Sequence, residues 1–248
     1  MAAMSQQVGF SQRLQIQWLE YTAQLVAAGR TRPEINAALQ EHLQDKLSIG
    51  HQVQRGNREK TITILLRIWA DPAPHVVPLR DAGIEWLKRV PAKQHLALHW
   101  GLSMAAYPFF AGVAGVLGKL LRLQETVGTA QIQRRIREQL GERATVERAA
   151  RRVYRSYIDW GVIHETEIKG VYRKAAPQRL DDRALAGWLL QCVLHADPSE
   201  WTALDALNKH ISLFPFKISS DGIDALRQCE HIEIMRHGLD QEMVRLHR

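Results

Sequence analysis

The arginine side chains hold the most evident chemistry in this chain. Between Lys119 and Arg155 the basic residues are Lys119, Arg122, Arg134, Arg135, Arg137, Arg143, Arg148, Arg151, Arg152 and Arg155, and the acidic ones are Glu125, Glu138, Glu142 and Glu147. Ten against four leaves +6 of the +7 carried by all 248 residues, so one segment holds nearly the whole excess. Nine of the ten are arginine, whose planar fork of donors suits phosphate oxygens and guanine edges. A basic run is most often a solvated helix face. A run that absorbs the net charge and also falls on an element able to enter a groove predicts nucleic-acid binding.

Other chemistries lack their patterns. GxxxxGK[ST] and HExxH are absent, and Gly112, Gly115 and Gly118 lie in an apolar helix instead of following a strand. His95 and His99 are four apart and share a helix face, but no Cys or carboxylate stands at ligand spacing, so core or interface histidines are expected and no metal. Asp181-Asp182 reads as a helix N-terminal carboxylate pair, and His231 with Glu233 as strand-edge residues. Cys192 and Cys229 are the only cysteines, which gives neither a disulfide framework nor a CxxC zinc site. The seven tryptophans fall mostly on apolar helix faces and read as core. The expectation is a non-enzymatic protein without cofactor, in a reducing cytoplasm; residues 1–10 show no secretory signal pattern.

The arginines need elements to position them. Thr129 is placed to cap a helix that carries Ile132, Ile136 and Leu140 inward and Arg134 and Arg135 outward. Residues 141–144 turn, and a second helix over 145–160 buries Val146, Ala149, Val153, Tyr157 and Trp160 at spacing three and four. That leaves Arg148, Arg151, Arg152 and Arg155 on or beside its outer face, with Arg143 at its start. Gly161 ends the helix. Residues 162–164 and 170–173 read as two short strands around the turn 165–169. Helix, turn, helix and hairpin is the order of a winged helix, with the arginine-bearing helix reading the major groove and Lys169 and Arg173 meeting phosphates from the wing.

Around this unit the chain reads as mainly α. Residues 1–78 read as a helical N-terminal domain compatible with a helix-turn-helix, with the capping box Thr31-Arg32-Pro33-Glu34 opening its second helix. Residues 79–123 form apolar central helices, 124–176 the basic winged helix, and 180–248 a second α+β module resembling a winged helix. In that module helices are expected over 183–195, 199–209 and 219–229, then a hairpin of 232–236 and 242–246 turning at 237–240. Its third helix carries Asp221 and Asp224, which suits a protein partner better than phosphate. The stretch 96–118 has the length of a membrane span, but Pro108 and four glycines interrupt it. Two buried helices breaking at Tyr107-Pro108 are the expectation, because the residue before proline is pushed out of the helical region.

The run ERAARRVYRSYIDWGVI, its KGVY wing strand and the late LFPF and GIDAL segments with their closing hairpin resemble the BrxA subunits of BREX phage-defence systems. The resemblance follows element order and patterning over most of the chain. It implies a double-stranded-DNA-binding accessory protein of a bacterial anti-phage operon, acting beside other subunits of a defence complex. A protein–protein adaptor within such a complex is the alternative expectation.

Overall fold

Apolar residues three and four apart become helices here wherever a cap, a proline or a glycine supplies an end. A computed structural model of the chain describes residues 9–47, 56–197, 199–238 and 241–246. The chain is mainly helical, with small sheets of two and three strands. Helices α1 (Ile16–Ala27), α2 (Arg32–His42) and α3 (Asn57–Leu65) open it. Glu34 accepts the Thr31 N–H at 2.7 Å as the capping box requires. Helix α2 stops at His42. Helix α3 continues as a π-helical turn, Leu66–Ala70. Arg80 of α4 (Val77–Arg89) donates to the carbonyls of Trp69 and Ala70 at 3.0 and 3.1 Å, satisfying acceptors the turn leaves open.

The apolar centre is α5 (His95–Ala106) and α6 (Pro108–Leu123), bent by 117° where Tyr107 precedes Pro108. Among the described residues no single helix is long and apolar enough to cross a membrane. Every residue of α5 from Ala97 to Ala106 is buried, so its apolar character serves protein packing. At Gly118 the α6 backbone closes on the turn Ile211–Leu213 so tightly that a Cβ would lie 1.8 Å from the Ile211 carbonyl oxygen.

After α6 come β1 (Thr126–Gly128), α7 (Thr129–Leu140), α8 (Ala144–Asp159), β2 (Ile163–Glu165) and β3 (Val171–Lys174). The three strands form an antiparallel sheet in the order β1-β3-β2, with Val127 opposite Tyr172 and Tyr172 opposite Glu165. Strand β1 is not among the elements that the sequence pattern predicts for residues 124–176. Thr129 begins α7 but does not cap it: its hydroxyl donates to the Gly170 carbonyl at 2.9 Å instead.

Next follow β4 (Gln178–Leu180), α9 (Arg183–Ala196), β5 (Thr202–Ala203), α10 (Leu204–Leu207), β6 (Phe216–Ile218), α11 (Asp221–Arg227), β7 (Ile232–His237) and β8 (Gln241–Leu246). The sheet order is β5-β8-β7, while β4 and β6 form a separate parallel pair. The order α6, β1, α7, α8, β2 and β3 is echoed in α9, β5, α10, α11, β7 and β8, with the same strand order, although β6 intervenes between α10 and α11. The helix expected over 199–209 is replaced by β5 and the single turn of α10. Asp197 accepts from Ser199 N–H and the Thr202 hydroxyl, and Thr202 then pairs with Val244. Cross-strand pairing wins over local helix propensity there. Residues 239 and 240 of the expected turn, and residues 1–8, lie outside the described residues. One hydrophobic core runs from Phe10 to Val244.

Candidate nucleic-acid interface

Helix α8 is strongly two-faced because its residue types alternate at helical period. Val146, Ala149, Ala150, Val153, Tyr154 and Tyr157 are buried, whereas Arg148, Arg151, Arg152 and Arg155 are exposed. The buried side is also bonded in place. Tyr157 donates its hydroxyl to the Phe110 carbonyl at 2.9 Å, and burial pushes that phenol well above its ordinary range. Trp160 donates Nε1–H to the Leu14 carbonyl at 2.9 Å, and Ser156 Oγ accepts the Leu14 N–H at 2.8 Å. A strap of residues 9–15 therefore lies along one flank of the helix, a contact across more than 140 residues of chain.

The strap sorts the arginines. Arg152 turns aside and donates to the Ser11 carbonyl. Arg13 of the strap forms an ion pair with Asp159, the acidic residue on the last turn of α8, and so neutralises a carboxylate that would repel phosphate. Arg13 thereby joins this surface; nothing local in the sequence marks it. On α7, Arg135 and Arg134 share Glu138 at 2.7 and 3.8 Å, and Arg137 reaches Glu147 of α8 at 3.2 Å. These pairs use two of the four carboxylates already set against the ten basic residues, so the +6 excess rests on the other cations of the segment. Arg143, Arg148, Arg151 and Arg155 make no ion pair with any described carboxylate, and all four are exposed. Arg143 is the residue before the first turn of α8, and the other three follow one stripe along it.

The hairpin stands beside this stripe. Tyr172 of β3 packs on Tyr154 of α8 with ring centroids 5.8 Å apart, and Arg151 and Arg155 lie on either side of Tyr154. Burial, the largest cause, raises the Tyr154 phenol above its ordinary value. Lys169 sits in the turn and Arg173 on β3, both exposed, with Arg173 opposite both His164 and Thr126. The fold thus brings Arg143, Arg148, Arg151, Arg155, Lys169 and Arg173 into one unit, with Arg134 and Arg135 partly neutralised on α7 and Arg152 engaged by the strap. Ile168 at the turn, 68% exposed, was not singled out from the sequence.

The remaining titratable candidates have structural partners. The Glu20 carboxylate of α1 meets His99 Nε2 at 2.9 Å and His95 Nδ1 at 3.0 Å, which ties α1 to α5. The His99 hydrogen bond is the main cause holding Glu20 down to about 2. Asp182 caps α9 by accepting from Ala184 and Leu185 N–H, and Glu233 pairs with Arg245 at 2.8 Å. Among the described residues no group of three or more His, Cys, Asp and Glu is arranged to hold a metal ion. A cleft of about 590 Å³ beside α2 and α3 is flanked by Arg32 and Asp71, paired at 2.9 Å. Comparison with protein-family models, curated proteins and solved structures finds no match for the chain.

Proposed function

We propose that this protein is a non-enzymatic double-stranded-DNA-binding protein and that α6 through β3 is a winged helix with α8 as its reading helix. The observation that carries the reading is the stripe Arg148, Arg151 and Arg155, exposed and without an ion pair to any described carboxylate, on a helix whose other face is bonded into the body of the protein. Held in this way, the guanidinium groups face a duplex without first breaking ion pairs. Arg143 at the start of α8 and Lys169 and Arg173 on the hairpin extend the cationic surface on both sides. Helix in the major groove and wing on the backbone is the docking mode that this element order supports. The resemblance to BrxA subunits adds the setting, a bacterial anti-phage defence complex.

The test is fluorescence anisotropy of a labelled random-sequence duplex at several salt concentrations. Binding in the micromolar range or tighter is expected, with log affinity falling linearly in log salt by about 0.9 per phosphate engaged. The triple variant Arg148→Ala/Arg151→Ala/Arg155→Ala is expected to bind at least ~10-fold more weakly and to lose ~3 from that slope. A triple variant with wild-type affinity and slope would overturn the assignment.

A second reading, the adaptor, draws on the second unit of the same element order. Helix α11 turns Asp221 and Asp224 outward, and its Arg227 is paired with Glu242. Residues 180–248 hold seven basic against eleven acidic residues, a net −4. That surface repels phosphate and suits a basic protein partner, so one chain would join DNA to another subunit.

A further inference from the structure

The turn between β2 and β3 is built to hold its tip still. Thr166 N–H donates to the Val171 carbonyl at 2.8 Å, and Val171 N–H returns a bond to the Ile168 carbonyl at 3.0 Å. The Thr166 hydroxyl lies 3.2 Å from both the N–H and the carbonyl of Ile168. Glu165 accepts the Gly170 N–H at 2.6 Å, and Gly170 takes the left-handed conformation (φ +78°) that closes the turn without a Cβ penalty. The Gly170 carbonyl in turn receives both the N–H and the hydroxyl of Thr129, fastening the turn to the start of α7.

None of these bonds uses the Ile168 side chain. It is held in water at the crest, one of three large apolar side chains so exposed among the described residues, with Leu123 and Met235. Lys169 follows it, and Arg173 lies on the strand behind. The Tyr154–Tyr172 contact sets the hairpin alongside α8, and when a helix of this kind occupies a major groove, a hairpin at its side can reach the adjacent minor groove. Apolar side chains on rigid supports enter minor grooves by pressing between base pairs.

We propose that Ile168 is a minor-groove wedge: the hairpin tip enters the groove beside the one α8 occupies, and the isoleucine side chain partly unstacks one base step while Lys169 takes a flanking phosphate. The inference rests on the DNA-binding reading above and adds a preference to it. Pyrimidine–purine steps such as TA and CA unstack most easily, so the protein favours duplexes that place one under the wing.

The experiment uses the full chain and a short duplex with a 2-aminopurine at a single central TA step in G·C-rich surroundings. Wild-type binding is expected to raise the 2-aminopurine fluorescence about twofold or more as the base unstacks. Ile168→Ala is expected to abolish that rise and weaken binding roughly 10-fold, at an unchanged salt slope because no phosphate contact is lost. Ile168→Leu is expected to restore both, and Ile168→Ala to melt at the wild-type temperature. Wild-type binding with no fluorescence change, or an Ile168→Ala variant equal to wild type, overturns the wedge and leaves DNA binding standing. No wild-type binding at any salt removes both.

Discussion

The imidazole of His99 is fully enclosed, and its protonation follows from what it touches. Burial is the main cause that lowers its affinity for a proton, and the ionised Glu20 carboxylate takes the Nε2 hydrogen at 2.9 Å. At neutral pH His99 is therefore uncharged and donates Nε2–H to Glu20. Both groups make stability depend on pH in one direction. Below the ordinary histidine range the unfolded chain takes up a proton that buried His99 refuses, so acid favours unfolding. Glu20, depressed to about 2, contributes stability that is complete above its unfolded value near 4.5 and is lost as pH falls toward 2. Urea midpoints should fall steadily from neutral pH downward. Glu20→Gln is expected to cost about 2 kcal/mol at neutral pH and to flatten the loss between 4.5 and 2. An unchanged acid limb in that variant would assign the pH dependence to other groups.

At the scale of elements, α6 matters more than its apolar sequence suggests, because it is packed on both sides. It contributes Phe110, whose carbonyl receives the Tyr157 hydroxyl, and it meets the turn Ile211–Leu213 of the second unit at Gly118. Gly118→Ala would place a Cβ 1.8 Å from backbone oxygen, which side-chain adjustment cannot relieve. A loss of about 3 kcal/mol or more is expected in chemical denaturation. Gly115→Ala, whose Cβ would meet Ile211 Cδ1 at 3.4 Å, is expected to be near neutral, since ordinary contact and better helix propensity offset each other. Equal effects of the two would mean that the α6 contact relaxes freely. Most of the helices, though not the stretch 199–209, and the β2–β3 hairpin were legible from period and turn residues. β1, β4, β5 and β6 were not, because strands of two and three residues outside a hairpin have neither periodicity nor a turn to mark them and exist only through their partners.

At the scale of the whole molecule, the strap of residues 9–15 joins the first helices to α8 and divides the arginines into anchors and free cations. Phe10 is fully buried against Tyr107 and Phe110, and Arg152 holds the Ser11 carbonyl. Arg152→Ala is therefore expected to lower stability by about 1 kcal/mol while changing duplex affinity less than ~2-fold. Arg148→Ala is expected to do the reverse, weakening binding with no shift in the melting temperature. Paired thermal melts and anisotropy titrations decide between them. If Arg152→Ala loses affinity as steeply as Arg148→Ala, its guanidinium works on DNA with the donors that Ser11 leaves free.

The sequence by itself determined the mainly helical class, the break at Tyr107-Pro108, the two-faced α8 and the segment that holds the charge. Each is a local matter of spacing, ring geometry or composition, read within a few turns of chain. Only the tertiary structure decided which charges are free. Glu147 of α8 pairs with Arg137 of α7, Asp159 pairs with Arg13, and the Ser11 carbonyl claims Arg152. The Asp159 and Ser11 contacts join residues more than 140 apart. Side chains so distant in sequence meet only once the core has closed around them, so no pattern along the chain records the meeting.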